Sequence, residues 1–263
     1  MYDKRSRFHS LHHDGLFLMP NPWDVGSARL LESMGFPALA TTSSGHAATL
    51  GRVDYRVTRD ELLTHAREIA AAVALPINVD SERCFADDPE GVAETIHLLA
   101  ETGVAGCSIE DYDPASGQID SIDTATERVA AAAQAAHRHD MVLTARTENL
   151  LHERDDLDEV IARLRSYRDA GADVVYAPGL VDLAGIEQVV GAVVIPVNVL
   201  ARPNGPTISE LASVGVRRVS TGGALARAAL GAVARGAREL LDRGTSSYTR
   251  EAIGDDALRI AFD

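Results

Sequence analysis

No stretch of this chain of 263 residues stays apolar over the roughly 20 positions that a membrane-spanning helix needs. The opening segment from Met1 to Gly15 carries Lys and Arg but lacks the apolar run of a secretion signal. Cysteine is nearly absent. Cys84 and Cys107 are too few for a disulfide scaffold, and with no export signal the cytoplasm is the expected address. Positive charge is the minority sign, 25 Lys and Arg against 39 Asp and Glu, for a formal net charge of −14. Without a local basic patch that balance repels phosphate backbones and anionic lipid, so neither nucleic acid nor a membrane is an expected partner. Two further absences bear on architecture. No GxGxxG follows the first apolar run, and no linker rich in Pro, Gly and Ser divides the chain.

What the sequence does carry is alternation. Short runs rich in Val, Ile and Ala trade places with longer helical patterns from end to end, as repeated βα units around a parallel sheet do. The runs end near Met19, Thr42, Val79, Ile109, Ala145, Tyr176, Val199 and Ser220. Eight units fit a (β/α)8 TIM barrel, for which about 250 residues is usual. Residues 1–263 are therefore expected to form one barrel domain with a C-terminal helical tail; an open, doubly wound sheet is the competing arrangement. Thr58 with Glu61, Thr124 with Glu127, and Thr207 with Glu210 fit capping boxes, and Asp88-Pro89 offers an N-cap followed by a first-turn proline. Gly35, Gly103, Gly171 and Gly215 stand where a helix would turn back into a strand. The weakest helical patterns are Asp182 to Val190 and the stretch after Gly244.

In such a barrel the C-terminal strand ends face the active site. The residues just past each run are Asn21, Trp23 and Asp24; Ser43, Ser44, Gly45 and His46; Asp80 and Glu82; Glu110 and Asp111; Arg146 and Glu148; and Asn198. Taken singly, Asp80, Glu82 and Glu110 read as solvated loop acids or helix N-caps. Gathered at one mouth they repel one another unless a cation sits among them, which points to a divalent metal; all-oxygen ligands favour Mg²⁺ or Mn²⁺ over zinc. Arg146 is the one basic residue expected at a strand end, where its planar fork suits a small anionic substrate. His46 lies beside the presumed anion loop, whereas His9, His12 and His13 are expected at the surface or at a subunit contact. His65, His97, His137 and His139 fall on helical segments outside the barrel, in solvated or capping roles. Cys84 has no paired base and reads as inert, and Cys107 reads as core.

From about Phe17 to Leu240 the chain resembles the isocitrate lyase and phosphoenolpyruvate mutase superfamily. The matching segments run in family order: Asn21-Pro22-Trp23-Asp24 with Ser27-Ala28-Arg29-Leu30, Thr42-Ser43-Ser44-Gly45, and Leu50-Gly51 leading to Asp54. They continue with Pro76-Ile77-Asn78-Val79-Asp80, Ile109-Glu110-Asp111, Ala145-Arg146-Thr147-Glu148, Gly171-Ala172-Asp173, Pro196-Val197-Asn198, and Leu211 through Val219. The resemblance implies that Asp80 holds Mg²⁺ directly or through water, with Asp54, Glu82 and Glu110 supporting it through its water shell. It implies that Ser44 and Gly45 grip a substrate carboxylate, that Trp23 packs over a 2-oxo acid, and that Ser43 and Asn198 join the binding set. Arg146, Glu110 and His46 become the candidate catalytic residues.

Three departures bear on the reaction. Glu82 stands where the family usually has a second Asp, His46 replaces an apolar residue, and Asp111 to Asp123 lacks both the Lys-Cys-Gly-His run of the true lyases and the Lys and Asn pattern of the phosphonate enzymes. The leading expectation is a Mg²⁺-dependent lyase working on a C–C bond beside a 2-oxo acid, through an enolate, in the manner of methylisocitrate lyase or oxaloacetate decarboxylase. P–C chemistry of the phosphoenolpyruvate or carboxyphosphonoenolpyruvate mutase type is the alternative, and a barrel that binds without turnover is a second. The helix from about Ala224 to Leu241 and the apolar tail positions Ala252, Ile253, Leu258, Ile260 and Phe262 suit a subunit contact. The resemblance implies that this last helix is exchanged in a homo-oligomer, a tetramer or a dimer.

Overall fold

The computed structural model describes residues 4–263. It opens with α1 (Lys4–Leu11), β1 (Phe17–Met19), α2 (Val25–Ser33), β2 (Leu39–Ala40), α3 (Ser43–Thr49), α4 (Arg59–Ala72) and β3 (Ile77–Asp80). There follow α5 (Pro89–Ala100), β4 (Gly106–Glu110), a hairpin of β5 (Tyr112–Asp113) and β6 (Gln118–Ile119), α6 (Ile122–His137), β7 (Val142–Arg146) and α7 (Leu157–Asp169). The chain ends with β8 (Val174–Tyr176), α8 (Leu183–Val193), β9 (Val197–Leu200), α9 (Ile208–Ser213), β10 (Arg218–Ser220), α10 (Ala224–Arg243) and α11 (Asp255–Phe262). Eight parallel strands lie in the order β1-β10-β9-β8-β7-β4-β3-β2. A backbone bond from Ala40 N to Pro20 O at 3.1 Å brings the two edges together. The result is the expected (β/α)8 barrel, with every strand end within two residues of its expected place.

Local chemistry sets the boundaries. Thr58 with Glu61 and Thr207 with Glu210 form reciprocal capping boxes, and Asp88 caps α5 ahead of Pro89. The expected box at Thr124 is corrected: α6 starts a turn earlier, because Ser121 accepts from the Thr124 amide at 3.1 Å and takes the cap. Asp24 likewise caps α2 through the Ser27 amide at 2.7 Å. Gly35, Gly103, Gly171 and Gly215 all take positive φ, between 86° and 102°, at the expected helix returns.

The strands alternate in a way that a list of apolar runs hides. Ile77, Val79, Cys107, Ile109, Leu143, Ala145, Val197, Val199 and Val219 face the helices and form the main core. Their neighbours Asn78, Asp80, Ser108, Thr144, Arg146, Asn198, Arg218 and Ser220 face the lumen, which is therefore polar. A polar lumen needs a closed floor, and α1 supplies it. Phe8 is fully buried against Phe17, Ala105 and Val142, while Arg5 donates to the carbonyls of Ala100, Val104 and His139 at 2.6, 3.1 and 2.8 Å. His12, expected at the surface, is instead buried, edge-on to Phe8 and Phe17 with centroids 4.8 and 5.0 Å away. At the far end α11 packs on α2 of its own chain, with Arg29 donating to the Phe262 carbonyl at 2.8 Å. Among the described residues no helix is long and apolar enough to cross a membrane.

Burial, and then the nearby Arg218, push the His12 imidazole down to about 3. Below about pH 6.5 the unfolded chain takes up a proton that the folded chain refuses, so this contribution to stability is present above that pH and is lost as pH falls toward 3. The loss at about pH 5 should be on the order of 2 kcal/mol. Urea midpoints should fall between about pH 7 and pH 5, and His12→Phe should show a shallower decline.

Candidate active site

Parallel register brings the chemistry together. Glu110 pairs with Arg146 across β4 and β7, Arg146 pairs with Tyr176 across β7 and β8, and Asp80 ends β3. Arg146 Nη1 lies 3.2 Å from Glu110 Oε2 and 3.4 Å from Asp80 Oδ1, and its Nε donates to Glu148. The guanidinium sits 5.6 Å from the Tyr176 ring centroid. Burial works against its charge, but Glu110, Glu148 and Asp80 together hold Arg146 well above its ordinary value. Glu110 is nearly inaccessible; burial raises its carboxyl well above the ordinary value, with Arg146 opposing and Glu148 and Asp80 adding repulsion.

Two more acids arrive on loops. Glu82, at φ 48°, is pushed up to about 8, first by burial and then by repulsion from Asp80 and Asp54. Asp54 is raised by burial and by Asp80. Glu110 Oε1 is buried with no hydrogen-bond partner among the described residues. Among the described residues no three His, Cys, Asp or Glu side chains converge as a direct ligand set for a metal. The residues present nevertheless fit a cation held through water, since five carboxylates share one guanidinium and one buried carboxylate oxygen is unclaimed.

The acids are framed by backbone donors. The Ser43 amide donates to Asp80 Oδ2 at 3.1 Å, and the Asp80 amide donates to Thr41 Oγ1 at 2.9 Å. A side chain on Gly45 would meet Thr42 Cγ2 at 2.6 Å and Trp23 Cβ at 2.9 Å, and one on Gly223 would meet Ser44 Oγ at 2.5 Å. These two glycines let the loop after β2 and the start of α10 close on each other. Asp111 is taken up inside the fold. It is buried, and it accepts from Thr147 Oγ1 and the Glu148 amide at 2.8 Å each, from Tyr167 Oη at 2.6 Å, and from Arg163 at 3.2 Å.

Not every expected residue meets this group. His46 is turned away from the mouth: its ring stacks on His65 at 3.8 Å and 5°, and both line an outer cavity of about 390 Å³ with Asp24, Asp60, Glu61 and Glu68. The cause is helix phase, because α3 presents Ser43 to Asp80 and buries His46 against α4. His65, expected to be solvated, is buried and pushed down to about 3 by burial and by His46. Trp23 lines the same outer cavity rather than the lumen. Asn198 sits in the lumen, donating to Ser220 Oγ at 2.9 Å and accepting from Arg218 Nε at 2.9 Å. Arg146 is not the only lumen cation, since Arg218 is fully buried with no carboxylate partner among the described residues, and burial brings it down to about 9. Cys84 is buried and pushed up to about 12 by burial, which suits an inert thiol. The reading from sequence passed over Tyr55 and Tyr176. Tyr176 already marked a strand end, and Tyr55 follows Asp54 directly.

The family model for phosphoenolpyruvate phosphomutase matches residues 8–241. A solved structure from Burkholderia cenocepacia J2315, whose activity is given only as lyase/mutase, matches with a TM-score of 0.93 at 49% identity, over 97% of this chain and 94% of that one. The 2-methylisocitrate lyase of Escherichia coli K12 is 32% identical over 183 residues, 66% of this chain and 61% of that protein. Oxaloacetate acetylhydrolase, solved with its product oxalate, matches with a TM-score of 0.88 at 26% identity, over 98% of this chain and 94% of that one. The chain belongs to the isocitrate lyase and phosphoenolpyruvate mutase superfamily, whose members are lyases and mutases.

A carboxyl raised in the folded state stabilises the fold below its unfolded value and withdraws that stability as pH climbs through the folded one. For Glu82 the window runs from 4.5 to about 8. Without metal, Glu82→Gln should therefore raise the melting temperature at about pH 8 by several degrees and leave it nearly unchanged at about pH 5. Calorimetry at both pH values checks this.

Proposed function

We propose that the enzyme breaks or forms a C–C bond beside the carbonyl of a small anionic 2-oxo acid, in the manner of a methylisocitrate lyase or an oxaloacetate decarboxylase. The observation that carries this reading is the position of Arg146, held among Asp80, Glu110 and Glu148 at the strand ends with a buried Glu110 oxygen left unclaimed. Asp80 would hold a divalent cation, Mg²⁺ or Mn²⁺, with Asp54, Glu82 and Glu110 reaching it through water, and such an ion polarises a 2-oxo carbonyl and steadies enolate charge. The chain's own groups then orient the substrate. Arg146 offers its fork to the acid end, Ser44 and Gly45 with the start of α10 grip a carboxylate, and burial strengthens each contact by excluding water. A phosphonate substrate would ask for further cations at the strand ends; the other lumen cation, Arg218, starts β10 below them and donates to Asn198 and Thr144, and the chain's only lysine, Lys4, lies on the barrel floor, bound to the carbonyls of Ala70 and Val73. C–C chemistry is favoured for that reason.

Assembly and address extend the same reading. On α10, Leu230, Val233, Leu240 and Leu241 are 53%, 68%, 47% and 85% exposed, an apolar face that suits a second copy of the chain and an exchanged helix. Two buried, unpaired thiols accord with a cytoplasmic address. Light scattering at micromolar concentration should return a dimer or tetramer; a monomer would refute the assembly.

Oxalate, an enolate mimic, should raise the melting temperature in the presence of Mg²⁺ and not in its absence. Asp80→Ala should abolish metal-dependent turnover while the circular dichroism spectrum stays native. Arg146→Lys should lower kcat and kcat/KM together by roughly 30-fold to 1,000-fold, the equivalent of about 2 to 4 kcal/mol. A rise in KM alone would reduce Arg146 to docking, and wild-type constants would remove it from the site.

A further inference from the structure

Three rings from three loops that also carry mouth acids pack on one another. Tyr55 directly follows Asp54, Tyr112 comes two residues after Glu110, and His152 four after Glu148, so each loop that supplies a mouth carboxylate also supplies a ring. Tyr112 is the central one. It stacks on His152 with centroids 3.9 Å apart and planes at 17°, and it meets the tilted Tyr55 ring at 5.5 Å. Tyr55 is the ring beside the mouth, next in sequence to Asp54 and near enough to Glu110 for each to influence the other's titration. Tyr55 holds φ 60°, a backbone that bulky residues rarely adopt, so the fold imposes its direction.

The arm that carries Tyr112 is braced at both ends. Arg83 lies 3.8 Å from Asp113 and 3.5 Å from Asp120, and Arg128 lies 3.5 Å from Asp120. The Asp120 amide donates to the Asp111 carbonyl at 2.8 Å, which ties the hairpin to the buried anchor at the end of β4. After β4 this chain has a tied hairpin with an aromatic face. Of the arginines on or beside these loops, Arg83 is taken up by the hairpin acids, Arg154 lies 3.8 Å from Glu159, Arg56 is exposed to solvent, and the Arg146 contacts go to Asp80, Glu110 and Glu148.

We propose that Tyr112 and His152 form the specificity wall of this site, and that the part of the substrate beyond its 2-oxo acid core packs on their ring faces, so that an uncharged apolar or planar substituent is selected over one bearing a further carboxylate. The wall rests on the reading of the mouth as a 2-oxo acid site. Ring faces reward flat apolar surface, and a lone extra carboxylate placed there would lose its water without gaining a guanidinium.

Calorimetric titration with Mg²⁺ and three probes separates the two ideas. Oxalate fills only the core of the site, N-phenyloxamate adds a flat apolar group, and N-oxalylglycine adds a carboxylate. The wild-type protein should bind N-phenyloxamate about tenfold more tightly than N-oxalylglycine. Tyr112→Ala and His152→Ala should each erase most of that preference and change oxalate affinity by less than about twofold. Tyr112→Phe should keep the preference, since the ring and not the hydroxyl makes the wall. If Tyr112→Ala does not fold, His152→Ala leaves the hairpin in place and decides the matter. Wild-type preference for N-oxalylglycine, or a preference untouched in His152→Ala, overturns the wall while oxalate binding upholds the mouth. Failure to bind oxalate overturns the mouth, and the wall with it.

Discussion

One guanidinium sets the terms for the mouth of this barrel. Asp54, Asp80, Glu82, Glu110 and Glu148 all crowd the end where β3, β4 and β7 finish, and Arg146 is the cation among them. Its charge allows Glu110 and Glu148 to be buried at 4% and 1% exposure, a placement that isolated carboxylates do not tolerate. One positive charge does not offset five negative ones. Protonation takes up part of the excess, as the raised Glu82, Asp54 and Glu110 carboxyls record, and the remainder makes the site receptive to a further cation.

The rest of the architecture serves that arrangement. A lumen lined with Asn78, Ser108, Thr144 and Asn198 gives the charged layer a polar bed, and α1 keeps water from entering through the floor. Asp111 spends its carboxylate on Thr147, Glu148, Arg163 and Tyr167, locking the ends of β4 and β7 in register so that Glu110 and Arg146 meet. The precision of the site therefore comes from a residue that faces away from it, as sites on rigid strands commonly require.

Much of this was legible in the residues themselves. The barrel could be read because strand spacing, capping boxes and positive-φ glycines are local signals, each set within a few positions. The acids and Arg146 could be read because strand ends of a barrel point one way. What the sequence hid depends on contacts between distant elements. His46 and His65 stack across α3 and α4, and nothing in the loop after Gly45 reveals that α3 turns its histidine outward. His12 looked like surface because the floor helix becomes visible only once Phe8 and Phe17 are seen to share a cluster. The hairpin from Tyr112 to Ile119 pairs only two residues on each side, too few to carry a strand pattern.

The seam between β1 and β2 carries a consequence for motion. These neighbours share no strand ladder; Ala40 N to Pro20 O is joined by Asn21, whose Nδ2 donates to the Thr41 carbonyl at 2.7 Å. Asn21 Oδ1 accepts from the Thr221 and Gly222 amides at 2.9 Å each, so one side chain clasps three loops. A cylinder fastened by a clasp breathes there first, with amide exchange fastest along that line and the barrel opening like a cuff instead of unravelling from its ends. The chain's single tryptophan, Trp23, stands two residues beyond the clasp, so its fluorescence is an intrinsic gauge of how far the cuff stands open.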